Sequence, residues 1–437
     1  MLIEFRASNY KTFRDEFVFS LIPAPELQSL DYSILKETVN GKEYKGLCSS
    51  VIYGPNAAGK TNIIEAIDTF RIIVLRGHIR NFNDGPTFAE NYLEAIPHIG
   101  NRAPVNFHIK FIEKENLVEY SISLDLGMFS QRNYKRKVLE EKLVVNDVVV
   151  FTRKDGINFG DLHLLTKFLP EGAVSAEPLL KELSENSLKD DELFLTNGFK
   201  SIVSINLASF VLDWISGKLM SLCRMDAMQV VRSFNEQKVG SFYVDKPLND
   251  ALKLFGVENN QLAYMTSEES GRTTLMSVLK LDDKNATALP AECFESFGTL
   301  RFTELFPLVA QAIQTGGVLL IDECDMSIHP MAIMSLVNVF HNDSLNIHHA
   351  QLVFNTQNPI FLNSNLFRRD EIKFVERNSE TLCSELYSLS DFDGDNFSNE
   401  KEFENYMTNY FASRYGAILN IDFSPVVESI ISSEKEV

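Results

Sequence analysis

Cysteine is scarce and scattered: Cys48, Cys223, Cys293, Cys324 and Cys383 contain no C-x-x-C pair. That argues against a zinc site or a disulfide framework and for a reduced compartment. No apolar run approaches the roughly eighteen residues needed to span a bilayer. Met1-Leu2-Ile3-Glu4-Phe5-Arg6 does not open like a signal peptide. The expectation is a cytoplasmic protein with no membrane partner. Positive charge is short as well, with 41 Lys and Arg against 60 Asp and Glu and a net charge of −19. A surface this acidic repels a DNA backbone, so nucleic-acid contact needs a local patch or a partner. The best local cluster, Arg132, Lys135, Arg136 and Lys137, reads as a solvated strand or loop edge. The pair His348-His349 lacks partners at metal-ligand spacing and reads as exposed and polar. There is no fixed-period repeat and no low-complexity tract. At 437 residues the chain has room for two or three domains, or for one large α/β domain with an insertion.

What is present is concentrated in one stretch. Gly54-Pro55-Asn56-Ala57-Ala58-Gly59-Lys60-Thr61 fits G-x-x-x-x-G-K-[ST], the phosphate-cradling loop. An apolar run, Val51-Ile52-Tyr53, precedes it as a strand would. A helical pattern follows, with Ile63, Ile67, Phe70 and Val74 on one face and Gly77 as the stop. Glycines let successive backbone N–H groups converge on phosphate oxygens, and a helix N-terminus adds its positive end. Lys60 would neutralise β- and γ-phosphates, and the Thr61 hydroxyl would ligate Mg²⁺. The pattern implies a bound nucleoside triphosphate.

Around this loop the chain reads as α/β. Leu2, Phe5, Tyr10 and Phe13 suggest a sheet edge. Val105 to Phe111 and Val118 to Leu124 alternate with period two, as an antiparallel hairpin does. Leu143 to Val145 and Val148 to Val150 flank Asn146-Asp147, a second hairpin. From about Glu177 to Leu281 the character turns helical, with Ile202, Ile205, Phe210, Trp214 and Ile215 reading as core. After Pro290 come a helix ended by Gly316-Gly317, a buried strand Val318 to Ile321 and a helix Pro330 to Phe340. Two more strands follow, Gln351 to Phe354 and Ile372 to Val375. This divides the chain into a first lobe with a β subdomain (1–125), a β extension (126–176), an inserted helical lid (177–290) and a second lobe (291–437). Ser432 to Val437 reads as a frayed tail.

Val318-Leu319-Leu320-Ile321-Asp322-Glu323 is an apolar strand running into two carboxylates, the form of a Walker B segment. A buried parallel strand delivers such carboxylates to the sheet edge beside the phosphate loop. Asp322 would hold Mg²⁺ through its water shell. Glu323 would polarise the attacking water, a general-base role worth about 10²–10⁴-fold. Between the two motifs lies Glu295-Ser296-Phe297-Gly298-Thr299-Leu300-Arg301. A serine, a glycine and a helix N-terminus make a second anion-binding surface, in the place of a signature motif that reaches the γ-phosphate held by another subunit. The plainer alternative is an ordinary N-capped helix. In Cys324-Asp325-Met326-Ser327-Ile328-His329-Pro330, Asp325, Ser327 and His329 occupy the D-loop place and could cross a dimer interface. His329 reads equally well as a helix N-cap.

Together these residues resemble an ABC-type ATPase of the SMC/RecF/OLD-like branch. Asn9 to Arg14 is similar to its opening strand, and Gly54 to Asn62 to its Walker A form. Closer still is the resemblance to RloA/AbiL-like abortive-infection ATPases, relatives of the AriA component of PARIS systems. It is carried by Glu295 to Arg301, Ile321 to Pro330, Phe367 to Glu376, Leu386 to Phe392 and Arg414 to Ile418. The resemblance implies a P-loop ABC-ATPase head with a mixed sheet, ATP and Mg²⁺ as ligands, and Asn62, Ser296, Gly298, Asp325 and His329 among the nucleotide contacts. It also implies ATP-driven head-to-head homodimers, or higher homo-oligomers built on them, and a partner effector, often a Toprim-type nuclease encoded beside the ATPase, with nucleic acid or a phage protein as candidate trigger. Asn9, Lys11 and Arg14 become candidates for base contacts. The family usually carries His in the switch segment, as T-T-H-[DN], whereas this chain reads Asn355-Thr356-Gln357-Asn358. Gln357 can donate a hydrogen bond to a γ-phosphate but cannot carry charge, which suits a slow, switch-like ATPase. A repair or recombination ATPase acting directly on DNA is the alternative, weakened by the missing coiled-coil arm and basic surface.

Overall fold

Strands buried on both faces favour apolar runs, and Val318–Ile321 in the central sheet is one, buried along its whole length. In the computed structural model, residues 1–25, 30–80, 95–128, 134–170, 176–223, 242–257, 260–266, 273–280, 285–392, 405–419 and 421–433 are described. The six-stranded sheet runs Leu219–Leu222, Val318–Ile321, Gln351–Asn355, Ser49–Tyr53, Ile372–Arg377, Ser384–Ser388. The first five are parallel and the last is antiparallel, so the sheet is mixed. Alternate side chains feed two cores. Val318, Leu320, Val353 and Ile52 point into one, and Leu319, Ile321, Leu352, Phe354, Val51 and Tyr53 into the other.

The helix Lys60–Arg76 packs into the first of these cores and ends at Gly77, whose φ of 74° only glycine adopts without cost. Its Phe70 ring lies 5.9 Å from Phe5, 6.1 Å from Phe107 and 6.0 Å from Tyr120. Those rings belong to a seven-stranded antiparallel sheet in the order Ile157–Phe159, Val148–Arg153, Lys137–Val145, Asn116–Asp125, Val105–Glu113, Leu2–Ser8, Phe17–Ser20. Both expected hairpins are there. Lys114-Glu115 and Asn146-Asp147 turn them with positive φ at both central residues, the twist-matched geometry for two-residue loops. On the other face of the central sheet, the helices Phe297–Thr315 and Pro330–His341 bury Leu305, Val309, Ile333, Val337 and Phe340. The architecture is the expected α/β P-loop head with a mixed sheet and an antiparallel β subdomain.

The segment read as helical is so only in part. Glu177–Ser187 and Ile205–Gly217 are helices, and Trp214 is core as expected, stacked on Phe111 at 3.8 Å, whereas Ile205 at the helix start is exposed. Leu219–Leu222, however, is a parallel strand of the central sheet, beside Val318–Ile321. Phe242–Tyr243, Asn260–Thr266, Thr273–Lys280 and Ala286–Pro290 form a four-stranded antiparallel sheet against the helix Lys246–Leu254 and Phe302. Short apolar runs fit helix and strand patterns alike, and here long-range pairing decides. Of the tail, Ser432 and Ser433 end the helix Ser424–Ser433, and residues 434–437 lie outside the described residues.

Candidate functional site

At the carboxyl ends of the parallel strands a cavity of about 280 Å³ opens over the phosphate loop. Asn56, Ala57, Gly59, Lys60, Thr61 and Asn62 line one side. Glu323, Asn355 and Gln357 line the opposite side, and Thr12 and Arg377 contribute from two further segments. The loop's conformation explains its composition. Gly54 and Gly59 have φ of 152° and 113°, and Ala57 holds a left-handed φ of 63°. A Cβ added to Gly59 would lie 2.7 Å from Thr12 Oγ1 and 2.9 Å from Ser384 Oγ, so only glycine lets the loop seat here. Ala58 is buried behind the loop, and its carbonyl accepts from Ser384 Oγ at 2.5 Å.

Lys60 is buried and folds back to donate to the Gly54 and Pro55 carbonyls at 2.7 and 3.0 Å. Desolvation lowers its pKa, opposed by the nearby carboxylates of Glu323, Asp322 and Asp325. Thr61 Oγ1 donates to Asp322 Oδ1 at 2.8 Å, bringing the loop and the end of the strand Val318–Ile321 together. Asn355, fully buried at the end of its strand, organises both acids. Its Nδ2 donates to Asp322 Oδ1 at 2.5 Å, and its Oδ1 accepts from the Glu323 N–H, also at 2.5 Å. Glu323 itself has a φ of 50°, unusual for a residue with a side chain, and its carboxylate is exposed toward the cavity. Such strain persists only where neighbours over-determine it.

A hydroxyl and a carboxylate in contact beside a phosphate cradle fit Mg²⁺, which usually takes one or two protein ligands and fills its octahedron with water and phosphate oxygens. Among the described residues no cluster of three or more His, Cys, Asp or Glu side chains could hold a metal by itself.

The signature and D-loop residues lie outside this cavity. Ser296 caps the helix Phe297–Thr315, accepting from Thr299 N at 3.0 Å, so the N-cap role is realised and the side chain remains exposed. Gly298 is buried against the D-loop turn, where a Cβ would lie 2.3 Å from the Ser327 carbonyl oxygen. Arg301, buried one turn along, donates from Nη2 to the carbonyls of Asp322 and Glu323 at 3.1 and 2.8 Å. The helix Phe297–Thr315 is therefore pinned to the backbone of Asp322 and Glu323 within one chain. Asp325 is half-buried and contributes to the field at Lys60. His329 is an N-cap, its Nδ1 accepting from Met331 N at 3.2 Å.

Sequence reading overlooked Asn355, Arg301, Thr12 and Arg377 as site residues. Of the base-contact candidates, Asn9 is buried, its Nδ2 donating to the Ala103 carbonyl and its Oδ1 accepting from the His98 N–H. Lys11 pairs with Glu65 at 2.5 Å and Arg14 with Asp15 at 2.9 Å. Thr12, between them, is the residue that reaches the cavity, and its Oγ1 accepts from Asn62 Nδ2 at 2.8 Å. In the basic cluster, Lys135 and Lys137 face Asp190 at 3.1 and 3.9 Å and Arg136 donates to the Ile79 carbonyl. Arg132 lies outside the described residues. His348 is exposed, and His349 bonds Glu37 at 2.7 Å. The five cysteines are free, and among the described residues no helix is long and apolar enough to cross a membrane.

The family described as "AAA domain, putative AbiEii toxin, Type IV TA system" matches residues 49–157 and 166–363. No curated protein matches the chain. Among solved structures, an SMC head bound to the C-winged helix domain of ScpA is 12% identical, with 89% of this chain and 97% of that chain covered and a TM-score of 0.40. The SMC head domain from Thermotoga maritima is 13% identical over 89% and 98% at a TM-score of 0.38. An SMC head with an extended coiled coil, bound to the C-terminal domain of ScpA and derived from Pyrococcus furiosus, is 11% identical over 89% and 96% at 0.39.

Proposed function

This chain belongs to the AAA-domain family described as putative AbiEii toxins of type IV toxin–antitoxin systems, and from that premise we propose that it is a slow, regulatory ATPase of anti-phage defence. ATP closes two heads into a dimer, which holds or releases a partner effector, a Toprim-like nuclease encoded beside it. The observation that carries this reading is the convergence of Lys60, Thr61, Glu323, Asn355 and Gln357 at one cavity over a phosphate loop, with buried Asp322 bonded to Thr61 and Asn355 at its edge. The family's description supports the defence setting.

In this reading the backbone of Gly54 to Thr61 cradles the phosphates. Lys60 leaves the loop carbonyls to neutralise β- and γ-oxygens. Thr61 and Asp322 hold Mg²⁺, which supplies Lewis-acid polarisation of the phosphate oxygens. Glu323 takes the proton of the attacking water, and Gln357 donates to the γ-phosphate. Glu323 is held for this by Asn355 and Arg301 through its backbone N–H and C=O, which leaves its carboxylate to the cavity.

Dimer closure is supported by what surrounds the signature helix. Phe294, Phe297, Met326 and Met331 are exposed apolar side chains next to Ser296, Asp325 and His329. A second head covering them would bring the exposed Ser296 to its own bound ATP, with Gly298 behind it packed against the Ser327 turn. The test is equilibrium titration with ATP. Lys60→Ala leaves triphosphate charge uncompensated and is expected to abolish binding, whereas full affinity in that variant would sink the assignment.

A further inference from the structure

We propose that Arg377 is a phosphate ligand of the nucleotide bound in its own chain, presented by the hairpin between Ile372–Arg377 and Ser384–Ser388. The inference rests on the reading of the cavity as a nucleotide site. The hairpin is strapped onto the phosphate loop at several points. Phe374 pairs with Tyr53, so the following residues run beside the start of the loop. The Val375 carbonyl approaches Gly54 so closely that a Cβ there would lie 2.2 Å from its oxygen. Ser384 Oγ donates to the Ala58 carbonyl at 2.5 Å, and its backbone N–H to the Thr12 carbonyl at 2.8 Å.

Arg377 and Ser384 are direct cross-strand partners, so their side chains share a face of the sheet. Ser384 fixes that face as the one against the loop. Glu376, one residue earlier, turns to the other side and accepts from the Tyr387 hydroxyl at 3.3 Å. Arg377 thus lines the cavity alongside Asn56 and Lys60. Its Nε donates to the Leu382 carbonyl at 2.9 Å, which fixes the plane of the guanidinium. Among the described residues no carboxylate pairs with it. In a chain with 60 acidic residues against 41 basic ones, a cation held at a cavity mouth without an acid marks a place for an anion. The guanidinium fork matches phosphate oxygens bidentately, while Lys60 offers a point charge to the same group.

The experiment measures three affinities with Mg²⁺ present for wild type, Lys60→Ala, Arg377→Ala and Arg377→Lys: mant-ATP, mant-ADP, and inorganic tripolyphosphate by competition. Arg377→Ala is expected to weaken all three by about tenfold or more, the scale of a charged hydrogen bond. Arg377→Lys recovers part of that, because it keeps the charge and loses the fork. Wild-type affinity for tripolyphosphate in Arg377→Ala overturns the proposal, whether or not mant-ATP binding falls. A fall confined to the nucleotides assigns Arg377 to the base or ribose instead. Wild-type protein that binds none of the three overturns the nucleotide reading itself. If Arg377→Ala melts early, Arg377→Gln keeps the stem and a donor for the Leu382 carbonyl, and the same comparison decides.

Discussion

Thr61 Oγ1 donates to Asp322 Oδ1 at 2.8 Å although 261 positions separate them in the chain. That contact joins the phosphate loop to the acidic strand end, and Asn355 extends it to Glu323. The nucleotide reading therefore rests on three strands that are neighbours in the sheet and distant in sequence.

Asn355 is expected to matter as a positioning residue. Asn355→Ala removes the donor to Asp322 and the acceptor for the Glu323 N–H, leaving buried polar groups unpaired at about 1–3 kcal/mol. Turnover should fall about 10- to 100-fold, the usual cost of losing a partner that orients metal ligands, while ATP affinity changes less. Steady-state kcat together with a titration of ATP binding checks this. Turnover within twofold of wild type would mean the two acids hold themselves.

Burial lowers the Lys60 pKa below the ordinary lysine value of 10.5. As pH rises through that lowered value the empty loop loses its charge, and ATP affinity falls. A bound triphosphate favours the ammonium, so binding in this alkaline window takes up a proton. Calorimetry in two buffers of different ionisation heat should detect the uptake. Lys60→Arg, which stays charged, should abolish it. Proton release on binding would contradict the assignment of Lys60 to the phosphates.

The composite-site model demands complementation. If Ser296 reaches the ATP of the opposite subunit, Ser296→Arg and Lys60→Ala heterodimers carry both lesions at one site and none at the other. ATPase activity should then reappear on mixing two inactive proteins, after subunit exchange is verified and provided that one site can fire alone. A signature acting within its own chain gives two damaged sites and no recovery.

Much of this arrangement is legible in sequence because its signals are local. The strand Ser49–Tyr53, the loop and the helix to Gly77 follow one another without interruption. The Asn146-Asp147 turn announces its hairpin by residue type, and four apolar residues before Asp322 announce a buried strand. What sequence missed depends on partners far along the chain. Leu219–Leu222 is a strand because Val318–Ile321 lies beside it, and Thr273–Lys280 because Asn260–Thr266 and Ala286–Pro290 flank it. Nothing local distinguishes Asn355 from any polar residue at a strand end. Arg377 becomes a site residue only once Val375 meets Gly54 and Ser384 meets Ala58.

The most direct test of an ATP-driven head dimer is the mass of Glu323→Gln in solution. The amide keeps the shape of the side chain and removes the base, so ATP should bind without being turned over and the closed form should accumulate. Light scattering on purified Glu323→Gln should give the mass of one chain without nucleotide and of two with ATP and Mg²⁺, and the shift should vanish when Lys60→Ala is added. A mass that does not change with ATP, in a variant that still hydrolyses at the wild-type rate, would contradict both the role of Glu323 and the dimer.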